Sequence, residues 1–267
     1  MRAGRTTTVA ALAGALALTA FAAPAAEAAD TGITVSDVVI NGGRPVVVGT
    51  TQEVRPTVSY RVTWPAGYSL ATVSANPFLY HDTTPAAGFT SGGIWHGTIV
   101  CDEDGPRAAD CSGDFYIDPP YRLDSNNDAT TWKIAFNAML WTADDHLKSQ
   151  EYLTGLGSTQ LKRAAKATAN ASPEPVAKGR TLTVTGRLTR ADWAKHTYVG
   201  YGGKAAKLQF RKAGTSTYAT VKTVRADSAG ALKTTVTATT DGYWRWTFSE
   251  TTTTGGATAA GDYVDVR

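Results

Sequence analysis

Five consecutive residues, Asp124-Ser125-Asn126-Asn127-Asp128, place side-chain oxygens at alternate positions along one short loop. A hard cation such as calcium needs several oxygens converging from a tight turn, and the opening of an EF-hand loop supplies them with this spacing. Asp124, Asn126 and Asp128 are therefore the candidate metal ligands, and calcium is the only cofactor the chain suggests. The rest of that motif fails, because Ala129 stands where the turn requires glycine and Ala135 where a bidentate glutamate closes the shell. The missing ligands would come from Asp118 or from Asp102, Glu103 and Asp104. Without them the segment is an Asx-rich turn ahead of a strand.

The four histidines, His81, His96, His146 and His196, offer general-base chemistry at two places, His81-Asp82 and Asp144-Asp145-His146, where a carboxylate could orient the ring. No nucleophile elbow, H-E-x-x-H or P-loop accompanies them, so the common hydrolase, metalloprotease and nucleotide-binding geometries lack their local signatures. The expectation is no enzyme; the alternative is an extracellular hydrolase with its site in the first half near His81, His96 or His146. The two cysteines, Cys101 and Cys111, flank the polar segment Asp102 to Asp110 and are expected to form a disulfide across a hairpin end. Zinc would need more soft ligands than the chain offers.

A third chemistry is electrostatic. Residues 29–171 carry 10 Lys+Arg against 15 Asp+Glu, a balance of −5, whereas residues 172–267 carry 14 against 7, a balance of +7. In the second half Lys207, Arg211, Lys222, Arg225 and Lys233 alternate with apolar residues, so a sheet with one buried face would present them together on its outer face. Such a face suits an anionic cell-wall polymer or an acidic carbohydrate, with nucleic acid ranked below both. Lysines on a sheet also protect its edges from aggregation, and opposite charges on the halves could simply help them dock. Trp193, Tyr198 and Tyr201, with Tyr116, Tyr121, Phe78 and Tyr80, could stack on sugar faces if exposed. Trp132, Trp141, Trp244 and Trp246 fall within strands, where rings fill cores.

The elements that must position these groups are strands. From Thr181 to Arg267 apolar residues alternate in the runs Leu182/Val184, Leu208/Phe210, Leu232/Thr234/Val236 and Trp244/Trp246/Phe248, interrupted by turn signals at Ala213-Gly214, Asp227 to Gly230 and Asp241-Gly242. Period two with turns every 8 to 12 residues is the pattern of a β-sandwich. In the first half, strands are expected at Ile33–Ile40, Pro45–Val48, Thr57–Trp64, Phe78–Tyr80, Ile94–Val100, Asp114–Ile117 and Thr131–Trp141, with Asn41-Gly42-Gly43 as a hairpin turn between the first two. The segment Leu156–Thr168 is the best helical candidate, and its Gly157 argues against it. Between Ala165 and Gly179 the pattern lapses around Ser172-Pro173-Glu174-Pro175, which reads as a linker.

The first 28 residues read as a cleaved signal peptide: Arg2 and Arg5, an apolar run from Val9 to Ala23, and Ala26-Glu27-Ala28 as a cleavage site. The run is too short and Ala-rich to span a membrane. The expected organisation is signal peptide 1–28, a β-rich domain 29–164, a linker 165–179 and an immunoglobulin-like sandwich 180–267. The fold class is all-β, with two tandem β-sandwiches in a secreted, extracellular monomer.

Several short strings resemble a group of exported proteins from filamentous actinomycetes that have no assigned mechanism. They are Val39-Ile40-Asn41-Gly42-Gly43 with Val46-Val47-Val48-Gly49, Leu161-Lys162-Arg163, Ser172-Pro173-Glu174-Pro175-Val176, and Leu188-Thr189-Arg190-Ala191-Asp192-Trp193. Leu208-Gln209-Phe210-Arg211, Gly242-Tyr243-Trp244-Arg245 and Asp262-Tyr263-Val264-Asp265-Val266 continue the match. The resemblance implies secretion and an immunoglobulin-like module behind a domain of unknown function. Some members are described as calcium-binding, and no catalytic residue is implied. Together these readings favour a secreted, non-enzymatic binding or cell-surface protein, with a calcium-binding structural module as one alternative and a hydrolase as the other.

Overall fold

A computed structural model describes residues 30–267, so the expected leader, 1–28, lies outside the described residues. The first half forms nine strands: β1 (Thr34–Ile40), β2 (Val46–Val48), β3 (Thr57–Thr63), β4 (Val73–Tyr80), β5 (Ile94–Glu103), β6 (Ala108–Phe115), β7 (Thr131–Trp141), β8 (Leu147–Leu153) and β9 (Ser158–Arg163). They follow one hydrogen-bonded path, β1-β3-β6-β5-β4-β7-β9-β2, with β8 also on β7. Strand β5 changes partner along its length. Ile94 and Trp95 pair with β4, and His96 to Glu103 pair with β6 across an irregularity between His96 and Ile99. That change of partner turns the sheet into two facing layers, closed by contacts such as Tyr60 of β3 against Phe136 of β7, ring centroids 4.7 Å apart.

Asn41, Gly42 and Gly43 take the positive φ values that their types favour, 50°, 60° and 75°. The turn nevertheless closes no hairpin. Strand β1 pairs antiparallel with β3, whereas β2 crosses to the other layer and runs parallel to β9. The crossing encloses Val46 and Val48 fully, in the core shared by the two layers. The strand expected at Asp114–Ile117 is instead the end of β6, placed earlier by the cross-strand pair Cys101–Cys111, which forms the disulfide near the turn. The helical candidate Leu156–Thr168 is extended instead, as β9 and the short strand Ala165–Ala167 that follows it.

The second half contributes β10 (Ala165–Ala167), β11 (Asn170–Ser172), β12 (Thr181–Asp192), β13 (Thr197–Gly200), β14 (Ala205–Lys212), β15 (Ala219–Arg225), β16 (Ala231–Thr237), β17 (Gly242–Phe248), β18 (Ala257–Thr258) and β19 (Asp262–Val264). One sheet is built on β12, flanked by β10, β11, β13 and β16; the other runs β15-β14-β17 with β18 and β19 on β17. Leu182, Val184 and Leu188 face Leu208, Trp246 and Phe248 between them. Trp246 is fully buried and donates its indole N–H to the Thr185 carbonyl at 3.0 Å. Its ring lies over Gly186, where a β-carbon would meet the indole Cδ1 at 2.5 Å. Burying an indole of this size contributes about 5 kcal/mol, taking roughly 200 Å² of apolar surface at the usual transfer coefficient.

The stretch 165–179 is therefore not a free linker over its first part, because β10 and β11 both pair with β12. Their inward residues are alanines, Ala165, Ala167 and Ala171. Alanine fills a tight space between strands without producing the apolar alternation that marks a strand in sequence. The protein is all-β, two sandwiches in series, and among the described residues no helix is long and apolar enough to cross a membrane.

Candidate functional site

The loop proposed for calcium begins with Ser125, whose hydroxyl accepts the Asn127 N–H at 3.1 Å while Asp128 accepts the Ser125 N–H at 3.3 Å. This capping box folds residues 126–128 into one short helical turn. The turn aims Asn126 at the second half. Its Nδ2 donates to Asp192 Oδ1 at 3.0 Å, and its Oδ1 accepts the Trp193 backbone N–H, also at 3.0 Å. Trp193 is fully buried in the core of the first half and donates its indole N–H to the Gly49 carbonyl at 2.9 Å. Asn126 is thus a clasp across the seam, and both its amide atoms are occupied there. Asp128 turns to His81, whose Nε2 lies 3.4 Å from its carboxylate, and Asp124 lines a small cavity beside them. Burial raises the Asp128 pKa above the usual carboxylate range, outweighing the Ser125 N–H and the His81 ring, which both lower it. Asp104, one of the suggested extra ligands, is paired with Arg61 at 2.7 Å. Among the described residues no group of three or more His, Cys, Asp or Glu side chains is arranged to hold a metal ion.

The seam continues through Lys162 and Arg163 at the end of β9. The Arg163 guanidinium donates to the Ala191 carbonyl, and its backbone joins the segment 253–255 through Thr253 and Gly255. Burial holds its pKa down to about 10, with Arg190 adding repulsion. Lys162, itself buried, reaches Glu250 at 3.2 Å. Lys162 and Arg163 are thus part of the joint between the halves.

None of the histidines completes a nucleophilic arrangement among the described residues. His81 faces Asp82 at 2.9 Å and Asp128 at its other ring nitrogen, His96 contacts the Gly97 carbonyl at 2.7 Å, and His146 is exposed beside Asp144. No serine or threonine hydroxyl hydrogen-bonds to any of these rings among the described residues.

The basic residues of the second half divide between its sheets. Ala206 and Leu208 of β14 point inward, so Lys207, Gln209 and Arg211 point out. Directly opposite them on β17 stand Thr247, Arg245 and Tyr243, and β19 places Tyr263 opposite Tyr243. The Arg211 guanidinium lies 4.0 Å from the centroid of Tyr243 and 5.2 Å from that of Tyr218, and Arg245 lies 3.6 Å from Tyr218. Gln209 accepts a 2.9 Å hydrogen bond from Arg245, and Tyr243 and Tyr263 meet at 5.1 Å. The Arg211 guanidinium donates to the Thr215 carbonyl, and the neighbouring Tyr218 and Tyr243 hold its pKa above the ordinary value. Arg225 shares this side at the margin, opposite Ala205.

Lys222 does not share it. It pairs with Leu208, an inward residue, and stands three positions from Arg225 in one unbroken register, so the two side chains leave opposite faces of β15. Lys222 therefore leaves from the core side of the sheet at its exposed edge. Lys233 lies in β16, opposite Thr185 of β12, on the other sheet altogether. The proposed surface is narrower than expected in lysines and richer in Arg245, Tyr218, Tyr243 and Tyr263. Alternation around Trp244 and Trp246 already marks Tyr243 and Arg245 as outward residues, while Tyr218 sits in a turn with no periodic signal.

No protein-family model matches the chain, and no curated protein matches it. Among solved structures it is similar over 88% of its length to the mouse nectin-like molecule 4 ectodomain (Ig1–Ig3), at 14% identity and a TM-score of 0.25. The chain spans 64% of that ectodomain's length. It is also similar over 86% of its length to the Clostridium thermocellum CbhA fibronectin(III)-like modules, at 11% identity and a TM-score of 0.28, spanning 92% of them. The D0-D1 domain of intimin gives 14% identity and a TM-score of 0.27, with 86% of this chain covering 98% of that one. These neighbours are immunoglobulin-like and fibronectin(III)-like modules.

Proposed function

We propose that this is a secreted, non-enzymatic binding protein that holds an anionic cell-wall polymer or acidic carbohydrate on the outer face of β14, β15, β17 and β19. The observation that carries the reading is the pair Arg211 and Arg245, ordered on Tyr218 and Tyr243 and without a carboxylate partner among the described residues. Stacking holds a guanidinium in place at roughly 0.5–1 kcal/mol per exposed contact, so less side-chain freedom is lost when its planar fork meets phosphate or carboxylate. The tyrosine rings offer the flat faces on which sugar rings stack. Export is supported by the disulfide, which belongs to oxidising compartments. A calcium-stabilised module is the weaker reading because Asn126 is engaged at the seam, and a hydrolase is weaker still because His81 faces two carboxylates.

The test is retention of the protein on immobilised long-chain polyphosphate at low salt. Retention is expected to fall as ionic strength rises from about 0.05 to about 0.5 M, since the interaction is between exposed charges. Arg211→Ala with Arg245→Ala should lower it at least tenfold, while Lys233→Ala leaves it close to wild type. Retention that ignores both salt and the double substitution removes the reading.

A further inference from the structure

We propose that the first half carries a separate site for a single neutral sugar ring, in the cavity between the β4–β5 connection and the 121–128 segment. This inference does not rest on the basic face of the second half. The cavity measures about 210 Å³ and is lined by His81, Ser91, Arg122, Asp124 and Asp128, with Trp132 as its floor. Gly92 and Gly93 form one wall, so bare backbone faces the space there. Trp132 is buried and fixed by an indole N–H bond to the Asp128 carbonyl at 2.8 Å, and the His81 ring rests 4.2 Å from it.

The rim is aromatic and supported from below. Trp95 is 41% exposed and stacks on Phe89 with centroids 5.5 Å apart and planes 17° from parallel. Phe89 in turn stands on the buried Phe78 at 5.3 Å. Arg122 joins rim to cavity, since it lines the cavity while its guanidinium lies 5.9 Å from the Trp95 ring. Tyr121, 83% exposed, projects from the same turn. A large ring left in water on a rigid base is a preorganised contact, because little conformational freedom remains to be lost on binding.

The chemistry selects the ligand class. His81 and Asp128 are engaged with each other, with Asp82 and with the Ser125 N–H, which leaves the Asp124 carboxylate, the Arg122 guanidinium and the Ser91 and Tyr121 hydroxyls to face the space. Sugar hydroxyls suit this mixture of acceptors and donors because each both donates and accepts. Asp124 and Asp128 repel an anionic polymer, and the polar lining disfavours an apolar molecule. The volume falls below the roughly 300–1,000 Å³ of pockets that enclose drug-sized ligands, so one ring fits inside and the next would lie against Trp95 or Tyr121.

The experiment titrates the full mature protein with cellotetraose, chitotetraose and mannotetraose, following tryptophan fluorescence and heat. At least one sugar is expected to bind with a dissociation constant of about 1 mM or tighter. Trp95→Ala and Asp124→Asn should each weaken it by about tenfold or more, with melting temperatures confirming that both variants fold. Salt and the Arg211→Ala, Arg245→Ala pair should leave it unchanged, which separates this site from the basic face. No response to any of the three sugars at about 10 mM overturns the proposal. So does binding that survives both Trp95→Ala and Asp124→Asn, since the sugar would then sit elsewhere.

Discussion

The loop at Asp124–Asp128 and the outer face around Arg211 present similar polar groups in sequence, yet the fold treats them in opposite ways. Asn126 is consumed at the seam, where Asp192 and the Trp193 N–H occupy its amide. Arg211 and Arg245 are ordered by tyrosine rings and remain without a carboxylate among the described residues. A side chain is available to a ligand only when its own protein leaves hydrogen-bonding capacity unfilled, and neither residue type nor spacing reveals that.

The substitution that would disturb this contrast most is Trp193→Ala. It empties a ring-sized space in the first core and frees the Gly49 carbonyl, so urea unfolding should show a loss of about 3–5 kcal/mol. A loss below about 1 kcal/mol would mean that the seam contributes little, since surface substitutions have effects of that size. Removing both cysteines as Cys101→Ser and Cys111→Ser should cost about 2.8 kcal/mol by loop entropy, while polyphosphate retention on the distant face stays intact. Asn126→Ala leaves the Trp193 backbone N–H without a partner and the buried Asp192 carboxylate with only Lys195 nearby, at 3.9 Å, for an expected loss of about 2 kcal/mol. If the loop is a clasp and not a cation site, the melting temperature of the wild type will not respond to calcium or chelator.

The smallest expected effect concerns Asp128. Its native pKa lies above the unfolded value, so its contribution favours folding most fully below the ordinary carboxylate pKa of about 3.9 and is lost as pH rises through the elevated native value. Asp128→Asn should remove this fall of the urea midpoint with rising pH in the window just above that pKa. An unaltered profile would show that burial at this position does not govern its titration.

Much of the architecture was legible because alternation is a local signal. Strand β7 has the bounds its sequence suggests, Thr131–Trp141, and the outward placement of Lys207 and Arg211 follows from inward Ala206 and Leu208. What escaped was non-local or muted. Asn126 and Asp192 are 66 residues apart, and Trp193 reaches Gly49 across 144, so no window of sequence contains the clasp. Strands β10 and β11 bury alanines, which carry no apolar rhythm. Lys233 obeys the same alternation as Lys207, but alternation assigns a residue to a face and not a strand to a sheet, so the two were merged. Lys222 and Arg225 are three residues apart, so alternation itself puts them on opposite faces, and the pairing with Leu208 makes Lys222 the inward one. Disulfide formation was legible from the cysteine pair alone, while the unexpected crossing of β2 to β9 is a non-local pairing.

The most direct measurement is the salt dependence of polyphosphate retention for the wild type beside the Arg211→Ala, Arg245→Ala variant. The account calls for strong retention at low salt that declines steeply with ionic strength, and for a variant that is weak throughout while melting within about 0.5 kcal/mol of wild-type stability. Equal retention of the two proteins, at any salt, would contradict it.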